Sequence, residues 1–317
     1  MTPSEANYIR YVIATEGKRF RYHKDQYPLD LLTLYLKHPQ HISQVRKSPL
    51  GHFLQKPTVK KILASQGHAQ LKAETFMDHA DEKTRDFNYT IGTWGRYEKH
   101  FNNPYYQTSR GGVNLVLQLN FDPVHNSQYF RYVQPHQAKH PFVCCDHPTR
   151  KYGDFTMAWA RIDVDLEEGE ALIEEVQTDW LRYAKHASEK VRTGMKNNEV
   201  HSDVKLGFGS MKNFLIYAEQ CLSEYYQLWD EAVLDAALVF LVKELGCRRI
   251  YYHSYETGCC LKGLSEAEKR PPKSLYTRLP KKFGFRETDE APYLLKKEKS
   301  LQPLLRDHSL RWYKLNF

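Results

Sequence analysis

Between residues 113 and 121 the chain reads VNLVLQLNF, with Val113, Leu115, Leu117, Leu119 and Phe121 alternating against Asn114, Val116, Gln118 and Asn120. Successive side chains of a strand point to opposite faces, so the pattern predicts a half-buried strand after a turn at Arg110-Gly111-Gly112. Phe155–Leu166 repeats it, placing Ile162, Val164 and Leu166 on one face and Asp163 and Asp165 on the other. The turn Glu167-Glu168-Gly169-Glu170 then leads back along Ala171–Thr178, which makes a hairpin. Residues 122–153, rich in Pro, His, Asn and Gly, read as loop.

After Trp180 the period lengthens to that of a helix. Trp229–Leu245 predicts a long apolar helix closed by Gly246 in the left-handed cap position. Arg249–His253 reads as a short strand and Lys273–Lys282 as a helix. The turn Phe283-Gly284-Phe285 precedes a last predicted strand, Tyr293–Lys297, and an amphipathic tail, Leu301–Phe317. Upstream, residues 1–103 read as a helical, polar region: Leu29–Leu36 follows Pro28, and a second helical pattern starts at Pro57. The expected organisation is a helical N-terminal region, 1–103, and an α/β domain, 104–317, with a mixed sheet flanked by helices.

At 317 residues, 41% hydrophobic and 26% charged, the chain can build real cores and does not resemble a disordered one. The formal charge of +8 makes this a basic protein, which favours anionic partners, nucleic acid among them, but the basic residues are dispersed. The longest apolar stretch, Ala236–Val242, is far short of the about 18 residues of a membrane span. No apolar segment follows a basic start at the N-terminus, so a secretory signal is not expected. The six cysteines, Cys144, Cys145, Cys221, Cys247, Cys259 and Cys260, match no disulfide framework and no paired C-x2-C zinc pattern. The expectation is a cytoplasmic protein with reduced, metal-free thiols.

Candidate chemistry concentrates in ALIEEVQTDW, residues 171–180. Simple alternation puts Glu175, Gln177 and Asp179 in one polar row and Glu174 between apolar neighbours on the other face. A buried carboxylate must find partners or shift its pKa, which is one way a general base arises. Glu231 and Asp235 share a face of the long helix and either complement its dipole or head an apolar stripe that projects into a pocket. His253 ends the short strand. Gly207, Gly209 and Ser210 form a glycine loop before a helix that would suit phosphate.

Two resemblances follow from these residues. The run Ile173–Trp180, IEEVQTDW, resembles an IEE[IV]Q[ST]DW motif of uncharacterised domains in phage and mobile-element polyvalent proteins; Trp229, Glu231 and Arg249–His253 follow in the same order. The order hairpin, helix, strand, helix, strand is similar to the second half of a GNAT-type N-acetyltransferase, and Leu275-Tyr276 with Gly284-Phe285 matches that family's Leu-Tyr…Gly-Phe signature, with two extra residues between. The resemblance implies a GNAT-like, mostly antiparallel sheet and group transfer from an acyl donor such as acetyl-coenzyme A to an amine on a macromolecule or small molecule. It gives Tyr276 the role of acid toward the departing thiolate and Glu174 or Glu175 that of base. Gln177, Asp179, Trp180, Glu231 and His253 would bind substrate, and Gly207, Gly209 and Ser210 the donor. The family's pyrophosphate loop, Q/R-x-x-G-x-G/A, does not follow this strand. The alternative is a non-catalytic binding module of mobile-element origin that contacts nucleic acid or a host protein.

Overall fold

A computed structural model describes residues 1–13, 18–65, 67, 69–77, 81–95, 107–136, 140–150, 153–196, 207–264, 271–306 and 309–317. Eight strands form one sheet: β1 (Lys18–Tyr22), β2 (Arg85–Gly95), β3 (Val113–Asn120), β4 (Thr156–Asp165), β5 (Glu170–Gln177), β6 (Arg249–His253), β7 (Arg286–Thr288) and β8 (Trp312–Asn316). Their order in space is β1-β2-β3-β4-β5-β6-β8-β7. Neighbours are antiparallel throughout except β5 and β6, which run parallel. A parallel pair needs a long crossover. Here the helices Trp180–Lys196, Met211–Ile216 and Ser223–Val239 lie within it. The expected class holds: an α/β fold with a large, mostly antiparallel mixed sheet flanked by helices.

Alternation decides which side chains meet. Ile162 and Val164 of β4, with Leu115, Leu117 and Leu119 of β3 and Ile173 and Val176 of β5, join the main core, to which the Ser223–Val239 helix contributes Ala232 through Leu238. Burying a side chain of this size is worth about 1.5–3 kcal/mol each, so this helix is held by its contacts more than by its propensity. It ends in a wider π turn, Phe240–Glu244, and Gly246 takes the expected left-handed conformation at φ +68°. A second apolar layer joins Leu172, Tyr251 and Trp312 to Leu294, Leu295, Leu301 and Leu310. Trp94, Val116 and Trp159 form a third, smaller cluster.

Several expectations are corrected. The region before residue 104 is not purely helical: it supplies β1 and β2 to the sheet. Phe87, Tyr89 and Ile91 of β2 are buried at a period of two, a signal diluted in the sequence by charged neighbours. The expected boundary at 103/104 lies outside the described residues. The stretch 122–153 contains a helix, Pro123–Tyr132, whose start is fixed by the Asp122 side chain accepting the His125 N–H at 2.8 Å. β3 is buried on both faces rather than half-buried, with only Gln118 partly accessible. Tyr293–Lys297 is not a strand. Tyr293–Lys296 is one helical turn, in which the adjacent Leu294 and Leu295 are both buried, and the final strand is Trp312–Asn316.

The alternation expected along β5 also breaks. Ile162 pairs with Ile173, but the next residue of β4, Arg161, pairs with Glu175. Glu174 is thus an extra residue in β5, a β-bulge. Leu172 and Glu175 therefore belong to the same side of the sheet as Arg161, while Ile173 and Val176 both join the main core.

Candidate functional site

The bulge coincides with the end of the parallel ladder. β5 pairs with β6 from Glu170–Arg249 to Ile173–Tyr252, and among the described residues the pairing goes no further. Beyond it a cavity of about 920 Å³ opens beside the C-terminal half of β5. Its walls come from Trp159 and Arg161 of β4, Glu175 and Gln177 of β5, the Trp180–Lys196 helix, and Leu275 and Tyr276 of the Ser274–Lys282 helix.

Arg161 is buried, and its guanidinium donates to Glu175 at 2.8 Å and to the Gln107 carbonyl, while its Nε has no hydrogen-bond partner. Glu175 remains 14% exposed toward the cavity. Tyr276 is 2% exposed, and its hydroxyl has no protein partner although it borders the cavity. Burial, then the nearby Glu175 charge, pushes its pKa well above that of a free phenol, so it stays protonated at neutral pH. Lys262 completes this wall. Its Nζ donates to the Glu174 carbonyl and lies 3.9 Å from a carboxylate oxygen of both Glu174 and Glu175, and burial lowers its pKa.

Glu174 does not line the cavity. It lies behind the bulge, accepting from the Ser109 N–H at 3.0 Å and the Ser109 hydroxyl at 2.9 Å, with His253 Nε2 at 3.3 Å. Burial alone would raise its pKa; the hydrogen bond and charge of His253, with Lys262 and Arg161, hold it down at about 2. His253 is itself fully buried, and that burial lowers its pKa, which favours the neutral ring. We therefore attribute Glu174's ionisation chiefly to the Ser109 donors and to the neighbouring Lys262 and Arg161. Ser109, His253 and Glu174 do not form a nucleophilic relay, because serine and carboxylate both meet the same ring nitrogen and Nδ1 has no partner.

Asp179 also sits behind the wall. It is 2% exposed and receives His147 Nδ1 at 2.9 Å, Trp159 Nε1 at 3.0 Å, Gln177 Nε2 at 2.7 Å and Arg182 at 2.7 Å. Burial opposes its ionisation, but these donors, His147 first, hold its pKa below the usual carboxylate value. It begins the Trp180–Lys196 helix with a negative charge, which complements the helix dipole. Trp180 belongs to the core, its indole donating to Tyr217 Oη at 2.7 Å.

The remaining expected residues lie elsewhere. Glu231 is buried away from the cavity and receives the Tyr22 hydroxyl, the Asp25 N–H, Lys24 and Lys282. Gly207, Gly209 and Ser210 do not line the cavity. The Gly209 N–H is taken by the Val133 carbonyl, and Ser210 caps the short Met211–Ile216 helix. Arg161, Lys262 and Trp159 are cavity residues that alternation along the strands did not single out. Arg161 carried a readable signal, a lone cation inside the strand TMAWARIDV, which can be buried only against a carboxylate. Lys262 had none, since it reaches the site through the three-dimensional return of the Tyr255–Leu261 helix. Comparison with protein-family models, curated proteins and solved structures finds no match to this chain.

Proposed function

We propose that the cavity is an acyl-transfer site in which Glu175 is the base and Tyr276 the acid. The observation that carries this reading is Tyr276: it borders the cavity beside Glu175, and its buried, protonated hydroxyl has no protein hydrogen-bond partner. A buried hydroxyl without a partner costs roughly 1–3 kcal/mol, which a ligand at this point would recover. The order of hairpin β4–β5, helices, β6, the Ser274–Lys282 helix and β7 supports the GNAT-like resemblance. Glu174 leaves the role of base to Glu175, because its oxygens are occupied and turned from the cavity.

In this reading Glu175 takes a proton from the incoming amine, whose nitrogen attacks the carbonyl carbon of a thioester. The carbon–sulfur bond breaks, and Tyr276 gives its proton to the leaving sulfur. Solvent then returns Glu175's proton to Tyr276. Acetyl-coenzyme A is the first donor to test. Turnover should fall by ~10²-fold or more in Tyr276→Phe and in Glu175→Gln. Equal rates in Tyr276→Phe remove it from the mechanism.

A second reading, a non-catalytic binding module, draws on Asp179, whose charge stands where a donor's pyrophosphate would need amides. The walls also carry Trp159, Trp229 and Tyr226, suited to stacking on nucleic-acid bases. A thermal-shift screen separates the two readings. Stabilisation by acetyl-coenzyme A favours transfer. Stabilisation by single-stranded oligonucleotides with no response to any acyl donor favours binding.

A further inference from the structure

Beside the cavity, Cys144, His147 and Asp179 bring one ligand atom each to within 4.8 Å of one another. Cys144 and His147 sit three residues apart on one turn, and Asp179 is fixed at the end of β5. Gln177 joins them, its side-chain nitrogen 2.9 Å from His147 Nδ1 and 2.7 Å from Asp179 Oδ1. His147 Nδ1 is in turn 2.9 Å from the same Asp179 oxygen.

With the Asp179 carboxylate ionised, no placement of protons on His147 and Gln177 satisfies this triangle. If His147 Nδ1 carries hydrogen, it faces Asp179 well but meets the Gln177 amide nitrogen donor to donor. If Nδ1 is bare, it accepts from Gln177 but meets the carboxylate lone pair to lone pair. If the Gln177 amide is flipped, its oxygen meets the Asp179 oxygen. One contact is always repulsive. A cation at the centre removes the conflict, because a bare Nδ1, a carboxylate oxygen, an amide oxygen and a thiolate all become electron donors to it.

We propose that Cys144, His147 and Asp179, with the Gln177 side-chain oxygen, form a Zn²⁺ site beside the cavity. Thiolate, imidazole and carboxylate together suit zinc better than magnesium or calcium, which prefer oxygen alone. Zinc ligands bind at about 2.0–2.3 Å, so a tetrahedral set stands roughly 3.3–3.8 Å apart, a small adjustment from the present geometry. The outer contacts fit as well: Trp159 Nε1 holds the other Asp179 oxygen at 3.0 Å, and the Tyr183 hydroxyl donates to Cys144 Sγ at 3.5 Å. Arg182 also touches Asp179, but its side chain is 52% exposed and turns to solvent when the ion binds. His147 and Gln177 line the cavity, so the ion's Gln177 position is the one a water or substrate oxygen would exchange into. The site does not depend on the acyl-transfer reading.

The test uses the full chain, stripped with a chelator and titrated with Zn²⁺, and with Co²⁺ as a spectroscopic probe. The expected result is one Zn²⁺ per chain with a dissociation constant below about 1 μM, and a cobalt spectrum with thiolate charge transfer and tetrahedral bands. Cys144→Ser and His147→Gln should each weaken binding by about 100-fold and Trp159→Phe by about 10-fold, while Cys260→Ser leaves it unchanged. Wild-type protein alone gives a second readout, since bound Zn²⁺ should shield Cys144 from alkylation in peptide mass spectrometry. Absence of stoichiometric zinc overturns the proposal. So does binding that leaves Cys144 fully alkylated, or that both ligand variants retain.

Discussion

Glu174 and Glu175 are neighbours in sequence with opposite circumstances. The bulge puts one behind the wall, fully bonded, and the other at its surface beside Arg161. Asp235 is fully buried in the Ser223–Val239 helix and faces Asp30 of the Tyr27–Tyr35 helix, with Glu231 one turn away and Lys243 beyond. Burial, then the Asp30 and Glu231 charges, raises its pKa well above the ordinary carboxylate value. Its folded pKa therefore lies above its unfolded one. Between the two the folded state holds the extra proton, and stability falls as pH rises through that window. Asn cannot ionise, so Asp235→Asn should be more stable than wild type at pH 8, by roughly 1–3 kcal/mol, with the gap closing toward pH 4. Thermal melts across that range check it. A gap that widens on acidification would reverse the assignment.

The elements with one clean period were legible in the sequence: β3, the β4–β5 hairpin, the long helix and β6 all form, although β3 is buried on both faces and β5 breaks its alternation at Glu174. What escaped had physical causes. β2 mixes Asp86 and Asn88 with its apolar residues, and the Tyr293 turn is too short for a helical period to register. The bulge cannot be read from β5 alone, because it is a mismatch between two strands. Glu175 and Gln177 stood out by alternation, whereas Arg161, a lone cation in its strand, was overlooked and Lys262 reaches the cavity only through the fold. Gly284 shows a turn residue fixed by geometry. At φ +79°, it would carry a Cβ 3.1 Å from the His52 ring and 3.2 Å from Phe53. A left-handed alanine costs about 1–2 kcal/mol before any clash. Gly284→Ala should therefore lower the urea midpoint by at least that equivalent with an unchanged slope, and a midpoint equal to wild type would refute the argument.

Over the whole molecule, the sheet gathers strands from both ends of the chain, and the core joins residues from Ala6 to Leu315. The parallel β5–β6 register does two things at once. It closes the core over Glu170–Ile173 and, where it stops, leaves room for the cavity. No helix among the described residues is long and apolar enough to cross a membrane. The six cysteines are unpaired by disulfides, two of them, Cys145 and Cys260, exposed.

The buried Glu231 carboxylate binds Tyr22, Lys24 and Asp25 from one end of the chain and Lys282 from the other. Lys282 is 51 residues from Glu231, but the Tyr22 and Lys24 contacts lie some two hundred residues away, and loops of such length form late and slowly. The refolding chain thus completes this carboxylate's set of partners only when its N-terminal segment arrives. Refolding should accordingly be slow and all-or-none. A fragment beginning at residue 107 lacks the first three partners and should collapse without reaching fixed tertiary packing, retaining helical circular dichroism while losing near-ultraviolet signal.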